Sequence, residues 1–463
     1  MDKPLFTLPD VLAATGGTLA SGPENASFSR VVIDSRAVKE GDLFVAIRGE
    51  RFDGHDFIGK AAAAGAAGVA ASAPPKPEDA AGAAVVLVND TTAALGDLGA
   101  FHRKRLSVSV VGITGTNGKS STKEMTAAVL GQKFATAKNP GNYNNCYGVP
   151  LTLLSLAPET RWAVVEMGMN HPGEIALLAK MAAPDVGVVT NVGPGHLEGL
   201  GTVEGVAAAK EELLAAMPGK TAVLNADDPR VRDMASRYPG KVVLFGADQD
   251  AHVRFHSLSQ EPDGLAFALG FPEGEVRVKL FFHGRCMAAN AAAAAAVGWV
   301  AGMDPEDIRA GLCMARPMAG RLCPVPLRDR MVLVDDSYNA NPASMAAAME
   351  TLCSLGEGGR CVLVAGEMAE LGEGVADWHR EVGRLAAAYQ MDALYVTGPY
   401  ADHVAAGAMA AGMEPPDIVV EDKQTLVARL QAELRPGDRV LVKGSRRAGM
   451  DEVAEKLARF FKP

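Results

Sequence analysis

The run Thr114-Gly115-Thr116-Asn117-Gly118-Lys119-Ser120-Ser121 sets a lysine and two hydroxyls directly behind a glycine-rich turn. Backbone N–H groups of such a turn, with those opening the helix after it, form a nest for phosphate oxygens. Lys119 offers a point charge to the β- and γ-phosphates and Ser120 a hydroxyl to Mg²⁺. Ile113 stands where the strict GxxxxGK[ST] pattern has its first glycine, and an ordinary strand-to-helix turn is the plain alternative. The order apolar run, turn, Lys-Ser, helix favours a nucleoside-triphosphate site.

Two further groups belong with the phosphates if strand ends share one sheet edge, where open α/β sheets keep their ligands. Glu166 ends the apolar run Trp162–Val165, and His196 follows the run Val186–Thr190. A carboxylate there helps to place Mg²⁺. A neutral imidazole can ligate a second metal, although His196 taken alone reads more simply as a structural histidine. Lys210, in Lys210-Glu211-Glu212, reads as a solvated helix face. Asn290, at the head of an alanine-rich run, is a cap or an interior polar residue. Asp335 and Asp336 can accept hydrogen bonds from a ribose or act as caps. Lys443 to Arg447 are cations suited to an anionic ligand. The amide-rich loop Asn139–Asn145 can bind a diphosphate or a peptide, or be a turn. Asp34-Ser35-Arg36 and the polar stretch Gly49–Asp56, which includes Glu50, line a ligand crevice or are capped surface loops.

The elements that must position these groups follow from periodicity and breakers. Residues 1–90 read as a small α/β unit, with a helix at Leu8–Ala14 ended by Gly16-Gly17. Its strands lie at Val31–Ile33 and Leu43–Ile47, a helix at Phe57–Ala66 and a loop at Ser72–Ala83. Residues 91–316 read as a larger α/β domain carrying the phosphate loop. Its helix runs over Val203–Met217, with strands at Thr221–Asn225 and Val242–Phe245. Alternating residues at 251–282 suggest antiparallel strands, and the Ala288–Ala301 run suggests a packed helix. Pro317 to Arg321 marks a boundary. Over 317–463, strand-like runs at Met331, Cys361, Ala393, Asp417 and Arg439 alternate with helical ones, a dinucleotide-fold rhythm without GxGxxG.

At 463 residues the chain exceeds a single core. A formal charge of −10 argues against non-specific binding to nucleic acid or acidic membranes. Six scattered cysteines without a CxxC pair suggest neither zinc nor disulfides. Reduced thiols and the lack of an export signal at Met1–Asp10 point to a cytoplasmic enzyme.

With these residues in view, the chain resembles the Mur ligases. The resemblance rests on Thr114–Ser120, whose departure from the strict loop pattern that family shares. It rests also on Asp335–Pro342 (DDSYNANP), Gly366–Gly372 (GEMAELG), Val442–Arg446 (VKGSR), Asp34-Ser35-Arg36, Gly41–Phe44 and Phe52–His55. It implies three domains: a small N-terminal α/β UDP-binding domain, a central P-loop ATPase-type parallel-sheet domain and a C-terminal Rossmann-like domain. It implies ATP-dependent amide-bond formation through an acyl phosphate, joining D-alanyl-D-alanine to UDP-N-acetylmuramoyl-tripeptide, by a monomer that inserts in no membrane.

The residue roles it implies are specific. Thr114 to Ser121 would surround ATP, with Lys119 on its phosphates and Ser120 on one of two Mg²⁺ ions. Glu166 and His196 would serve the metals, and Lys210 would be carbamylated by CO₂ to become a metal ligand, reversing the solvated-face reading. Asn290 would contact adenine, Arg321 the γ-phosphate and Asp336 the ribose. Ser35 and Arg36 would hold the uridine diphosphate, and Asn144, Asn145, Tyr338 and Asn341 would face the remaining substrate. One departure is visible: Cys286-Met287 stand where the family usually has His-Asn. The rival readings are a ligase of the same architecture (for the third amino acid, or for folate polyglutamylation), a P-loop ATPase or kinase, and a non-catalytic nucleotide-binding scaffold.

Overall fold

The structure, a computed structural model, describes residues 4–49, 51–80, 82–356 and 358–463; Glu50, in the polar stretch read from the sequence, lies outside them. By compactness the chain falls into two units. The first comprises residues 1–112, 134–168 and 174–185, and the second residues 113–133, 169–173 and 186–463. The strand Ser109–Thr114 crosses the boundary, so the phosphate loop that follows it belongs to the second unit.

In the first unit a five-stranded sheet runs in the order Thr18–Ser21, Ala84–Leu87, Gly68–Ala71, Leu43–Val45, Val31–Val32. The last four strands are parallel and the first is antiparallel. Three of these strands escaped the sequence reading. Gly68–Ala71 is half alanine, a poor strand former, and Ala84–Leu87 is only four residues long, yet both are almost wholly buried. Apolar side chains cover both faces of the sheet, Phe6, Phe28, Leu43 and Leu95 in one cluster and Phe44, Ile58 and Val69 in another. The expected 57–66 helix is a 3₁₀ turn, Gly54–Phe57, continued by a helix at Ile58–Ala63. Also in this unit, Thr136–Lys138 pairs in parallel with Trp162–Glu166.

In the second unit the strands Val186–Val189, Thr221–Asn225, Lys241–Gly246 and Val253–Glu261 are parallel. Gly264–Phe271 and Gly274–Leu280 then add antiparallel hairpins, as the alternation at 251–282 predicts. The helix Arg285–Val300 buries Ala288 and Ala291 to Ala296 completely. Small side chains let it lie close against its neighbours; a Cβ on Gly298 would meet Val129 Cγ1 at 2.7 Å.

Beyond it, six strands run in the order Cys323–Pro326, Val332–Asp336, Arg439–Lys443, Cys361–Ala365, Ala393–Val396, Ile418–Val420. The five expected strands are all parallel. The additional one, Cys323–Pro326, is an antiparallel edge, a place where prolines can be carried without loss of ladder bonds. Register sets Asp336 opposite Lys443, and Lys443 opposite Ala365. The loops after these three strands therefore leave from one edge.

Among the described residues no helix is long and apolar enough to cross a membrane. All six cysteines are unpaired.

Candidate active site

The phosphate loop is built as its sequence demands and is braced by residues the sequence did not single out. Gly118 precedes the Lys119–Leu130 helix with φ 79°, a left-handed conformation that favours glycine. Thr116 N donates to Asn191 O at 3.0 Å, and Asn117 N to Asn191 Oδ1 at 2.8 Å. Thr190 Oγ1 donates to Asn117 O at 2.6 Å, and Gly193 N to Thr116 Oγ1 at 3.0 Å. A second layer holds the brace: Asn225 Nδ2 donates to Thr190 O, and Asp228 Oδ2 accepts from Val192 N. Thr190, Asn191, Asn225 and Asp228 are thus positioning residues. Their signal is faint, since the first three are only polar residues at or just after strand ends and Asp228 reads as the cap of the Pro229–Arg237 helix.

Lys119 Nζ donates to Gly115 O at 2.8 Å and Thr116 O at 3.3 Å, which holds its ammonium over the loop. Ser120 and Ser121 are buried in the first turn of the helix. Asn117 and Asn341 exchange amides: Asn341 Nδ2 donates to Asn117 Oδ1 at 2.8 Å, and Asn117 Nδ2 to Asn341 Oδ1 at 3.3 Å. Asn341 also caps the Pro342–Ser354 helix, accepting from Ser344 N. The phosphate loop and the DDSYNANP segment therefore touch, 224 residues apart in sequence.

Asn290 lies against the same loop. A Cβ on Gly118 would stand 2.3 Å from Asn290 Oδ1, so Gly118→Ala meets both that clash and the left-handed strain. We expect it to weaken binding of an ATP analogue about 10–100-fold, by analogy with a backbone strain of about 1–3 kcal/mol. Titration calorimetry on a folded variant checks this, and unchanged affinity would contradict the geometry. The departure at Cys286-Met287 has local consequences. Burial pushes the Cys286 thiol up to about 12, so it stays protonated. Met287 Sδ accepts weakly from Asn290 Nδ2 at 3.5 Å, steering the amide instead of a polar neighbour.

Lys210 overturns the solvated-face reading: its side chain is 1% exposed, with Nζ 3.9 Å from Met169 Sδ. Glu211 and Glu212 next to it are half-buried; Glu211 pairs with Arg237 and Glu212 accepts from Gly173 N. Burial, and then the charge of Lys119, drive the Lys210 pKa well below that of an ordinary lysine, favouring the neutral amine. His196 has φ 57° and opens the Leu197–Leu200 turn, with Nδ1 2.7 Å from Glu370 Oε2.

Around the last sheet, Asp336 is already committed. Its Oδ2 accepts from Lys443 Nζ and its Oδ1 from Leu322 N at 3.0 Å. Burial raises its pKa and the Lys443 ammonium opposes that. Asp335 accepts from Gly320 N, Ser337 N and Ser337 Oγ. Both acids thus pin the 320–322 segment to the strand end. Arg321, which that segment carries, lies with its guanidinium 4.2 Å from the Tyr338 ring centre. Its Nε is buried without a hydrogen-bond partner among the described residues, a donor that suits an anionic ligand.

In the first unit, Glu166 is 2% exposed; its Oε1 accepts from Asn144 Nδ2 at 2.9 Å, and its N–H donates to Asn139 Oδ1. Asn145 instead accepts from Tyr147 N and Gly148 N, fixing the turn that leads into the Gly148–Leu154 helix. The amide loop thus divides into a residue aimed at the acid and one spent on structure. Asp34 caps a 3₁₀ turn that contains Ser35 and pairs with Arg36, whose guanidinium holds that carboxyl at about 2. In the Phe52–His55 stretch, Asp53 lies 2.6 Å from His55 Nδ1, and His55 Nε2 accepts from Ser72 N.

No three His, Cys, Asp or Glu side chains gather into a metal-ligand set among the described residues. In the second unit Ser120, His196 and buried Lys210 offer one hydroxyl oxygen and two nitrogens, and Mg²⁺ prefers oxygens. Carboxylation of Lys210 would supply them.

Three family models match consecutive stretches of the chain. "Mur ligase family, catalytic domain" covers residues 27–103, "Mur ligase middle domain" 113–298, and "Mur ligase, glutamate ligase domain" 320–446. A UDP-N-acetylmuramoyl-tripeptide–D-alanyl-D-alanine ligase of Escherichia coli (strain K12) is 39% identical over 92% of this chain and 93% of its own. The protein of that name from Bacillus subtilis (strain 168) is 33% identical over 97% and 98%. Among solved structures, MurF from Acinetobacter baumannii superposes with a TM-score of 0.90 at 31% identity, over 99% of both chains. The MurF ligase of Thermotoga maritima in complex with ADP gives 0.83 at 31%, over 94% and 98%. With a braced phosphate loop, three matching family models and relatives aligned nearly end to end, the chain belongs to the Mur ligase family.

Proposed function

We propose that the chain is an ATP-dependent amide ligase that joins D-alanyl-D-alanine to UDP-N-acetylmuramoyl-tripeptide, completing the pentapeptide precursor of peptidoglycan. The observation that carries this is the alignment over more than nine-tenths of the chain with relatives of that name. The domains we assign are 1–90 for the UDP-linked substrate, 91–316 for ATP and 317–463 for the acceptor amine. The protein acts in the cytoplasm as a monomer.

In this reading the terminal carboxylate of the tripeptide attacks the γ-phosphorus of ATP, forming an acyl phosphate and releasing ADP. The amine of the dipeptide then adds to the acyl carbon, and the tetrahedral adduct expels phosphate. Two polyanions must meet, so fixed positive charge aimed at the transferring group is the chief requirement. Loop N–H groups from Thr114 to Ser121, with Lys119 and Arg321, supply it. Asn290 sits by adenine and Asp336 by the ribose. Ser35 and Arg36 hold the uridine diphosphate; Asn144, in a loop shaped by Asn145, and Tyr338 and Asn341 face the remaining substrate. Two Mg²⁺ ions, held by Ser120, Glu166, His196 and carbamylated Lys210, would neutralise phosphate charge when bound. A lowered pKa suits Lys210 to that modification: Nζ attacks the carbon of CO₂, an N–C bond forms as one C=O π pair moves onto oxygen, and the amine gives up a proton to leave the carbamate anion. Closure of the C-terminal domain over ATP keeps water from the acyl phosphate.

The test is phosphate release from ATP and Mg²⁺ with the UDP-tripeptide, with and without D-alanyl-D-alanine, and the mass of the product. Release that depends on the dipeptide and yields a UDP-pentapeptide is expected. Release indifferent to it would keep the nucleotide site and overturn the acceptor.

A further inference from the structure

The Gly366–Gly372 loop leaves the strand Cys361–Ala365 and is anchored along its length. At its start Gly366 N donates to Lys443 O and Glu367 O accepts from Ser445 N, each at 2.8 Å. Near its end Glu370 O accepts from Glu198 N at 3.1 Å. A Cβ on Gly372 would meet Glu198 Cα at 3.2 Å, so the loop abuts the turn that follows His196. Between these ends the anchor is a side chain: Met368 N donates to His379 Nε2 at 3.0 Å.

His379 is buried in the Val375–Ala388 helix, and its Nδ1 lies 2.7 Å from Val375 O, one turn earlier. A backbone carbonyl only accepts and a backbone N–H only donates. Nδ1 therefore carries a proton and Nε2 keeps its lone pair. The ring is neutral in this arrangement, since a second proton would set N–H against N–H at Met368. Tyr400 stacks on it, with ring centres 4.6 Å apart and planes at 25°. The ionisable groups facing the ring are Tyr400, His403 and Glu367, the last paired with Arg447. Burial, the largest influence, holds the His379 pKa below that of an ordinary histidine; Val375 O and Glu367 oppose this, and His403 adds to it. On acidification the unfolded ring takes its proton first, at the ordinary histidine pKa. The stability lent by the neutral ring is thus lost between that pH and the lower folded-state pKa.

We propose that His379 is a positioning residue: as a fixed neutral acceptor for the Met368 N–H it sets the GEMAELG loop against the turn after His196. It touches no reacting atom. That turn continues the segment whose Asn191 and Gly193 brace the phosphate loop, so the placement of GEMAELG reaches the nucleotide side of the site. The effect on catalysis rests on the ligase reading; the anchoring of the loop does not.

The experiment compares the full wild-type chain with two variants. His379→Phe keeps a ring on Tyr400 but offers no acceptor, and His379→Gln has an Oε1 that accepts but does not titrate. Hydrogen exchange at the Met368 amide, corrected for the intrinsic effect of pH, is read beside kcat and KM for ATP. His379→Phe is expected to lose Met368 protection about tenfold or more, the scale of one buried donor left without its acceptor. Its kcat should fall about 10–100-fold, as misplacement away from the chemistry does, with a smaller change in KM. His379→Gln should restore both protection and kcat. On acidification wild type should lose Met368 protection as the ring takes a second proton, and His379→Gln should not. Undiminished protection in a folded His379→Phe chain would refute the anchor, and wild-type kcat there would refute its bearing on catalysis. A His379→Gln chain as slow as His379→Phe would leave His379 a packing residue only. Should His379→Phe fail to fold, the acid response decides, and equal sensitivity in wild type and His379→Gln rules the proposal out. If wild type releases no phosphate in response to the dipeptide, the ligase reading falls and the exchange result stands.

Discussion

Lys119→Ala is expected to lower kcat by at least about a thousandfold, the scale seen when one preorganised group facing a developing charge is removed. The geometry makes this more than the loss of a surface charge. Nζ is tied to Gly115 O and Thr116 O, so the ammonium is fixed where phosphate oxygens would arrive and needs no reorganisation at the moment of transfer. The N-terminal sheet has its own apolar clusters, so the UDP-substrate should bind the variant with near wild-type affinity. Single-turnover phosphate release and calorimetry with the UDP-tripeptide separate the two effects. A fully active variant would overturn the phosphate-loop assignment.

Lys210→Ala should be comparably severe, by about a hundred- to a thousandfold in kcat, but with a different signature. What is lost in our reading is not a cation, because burial beside Lys119 already disfavours the charged amine. What is lost is a carboxylate built on that amine. Millimolar formate or acetate should therefore restore part of the activity of Lys210→Ala and none of that of Lys119→Ala. Wild-type activity in Lys210→Ala without any additive would remove the carbamate from the mechanism. On the intact protein, ¹³C-bicarbonate should give a carbamate resonance that Lys210→Ala lacks.

The phosphate loop was legible because its parts are neighbours in sequence: strand, turn, Lys119 and helix specify one another locally. The parallel C-terminal sheet was legible through five β-rich runs, whereas its sixth strand carries two prolines and gives no such signal. Lys210 was illegible for a physical reason. Lysine followed by two glutamates on a helix is ordinarily wet, and only packing against other elements reveals that Glu211 is half-buried in an ion pair while Lys210 is sealed in. The family resemblance reverses that reading. The braces from Thr190, Asn191, Asn225 and Asp228 needed the fold itself, since each acts across a gap in sequence.

The reciprocal amide pair between Asn117 and Asn341 also bears on how the enzyme ages. Asn-Gly is the dipeptide most prone to succinimide formation, in which the following backbone nitrogen attacks the side-chain carbonyl carbon and ammonia departs. Asn117-Gly118 is such a dipeptide, placed in the loop that must hold phosphate. Both ends of its amide are engaged by Asn341, and its own N–H and C=O are held by Asn191 and Thr190. The attack needs a freely turning side chain and backbone, and the loop grants neither. The contact that joins two distant stretches of chain thus also shields the most perishable bond in the site.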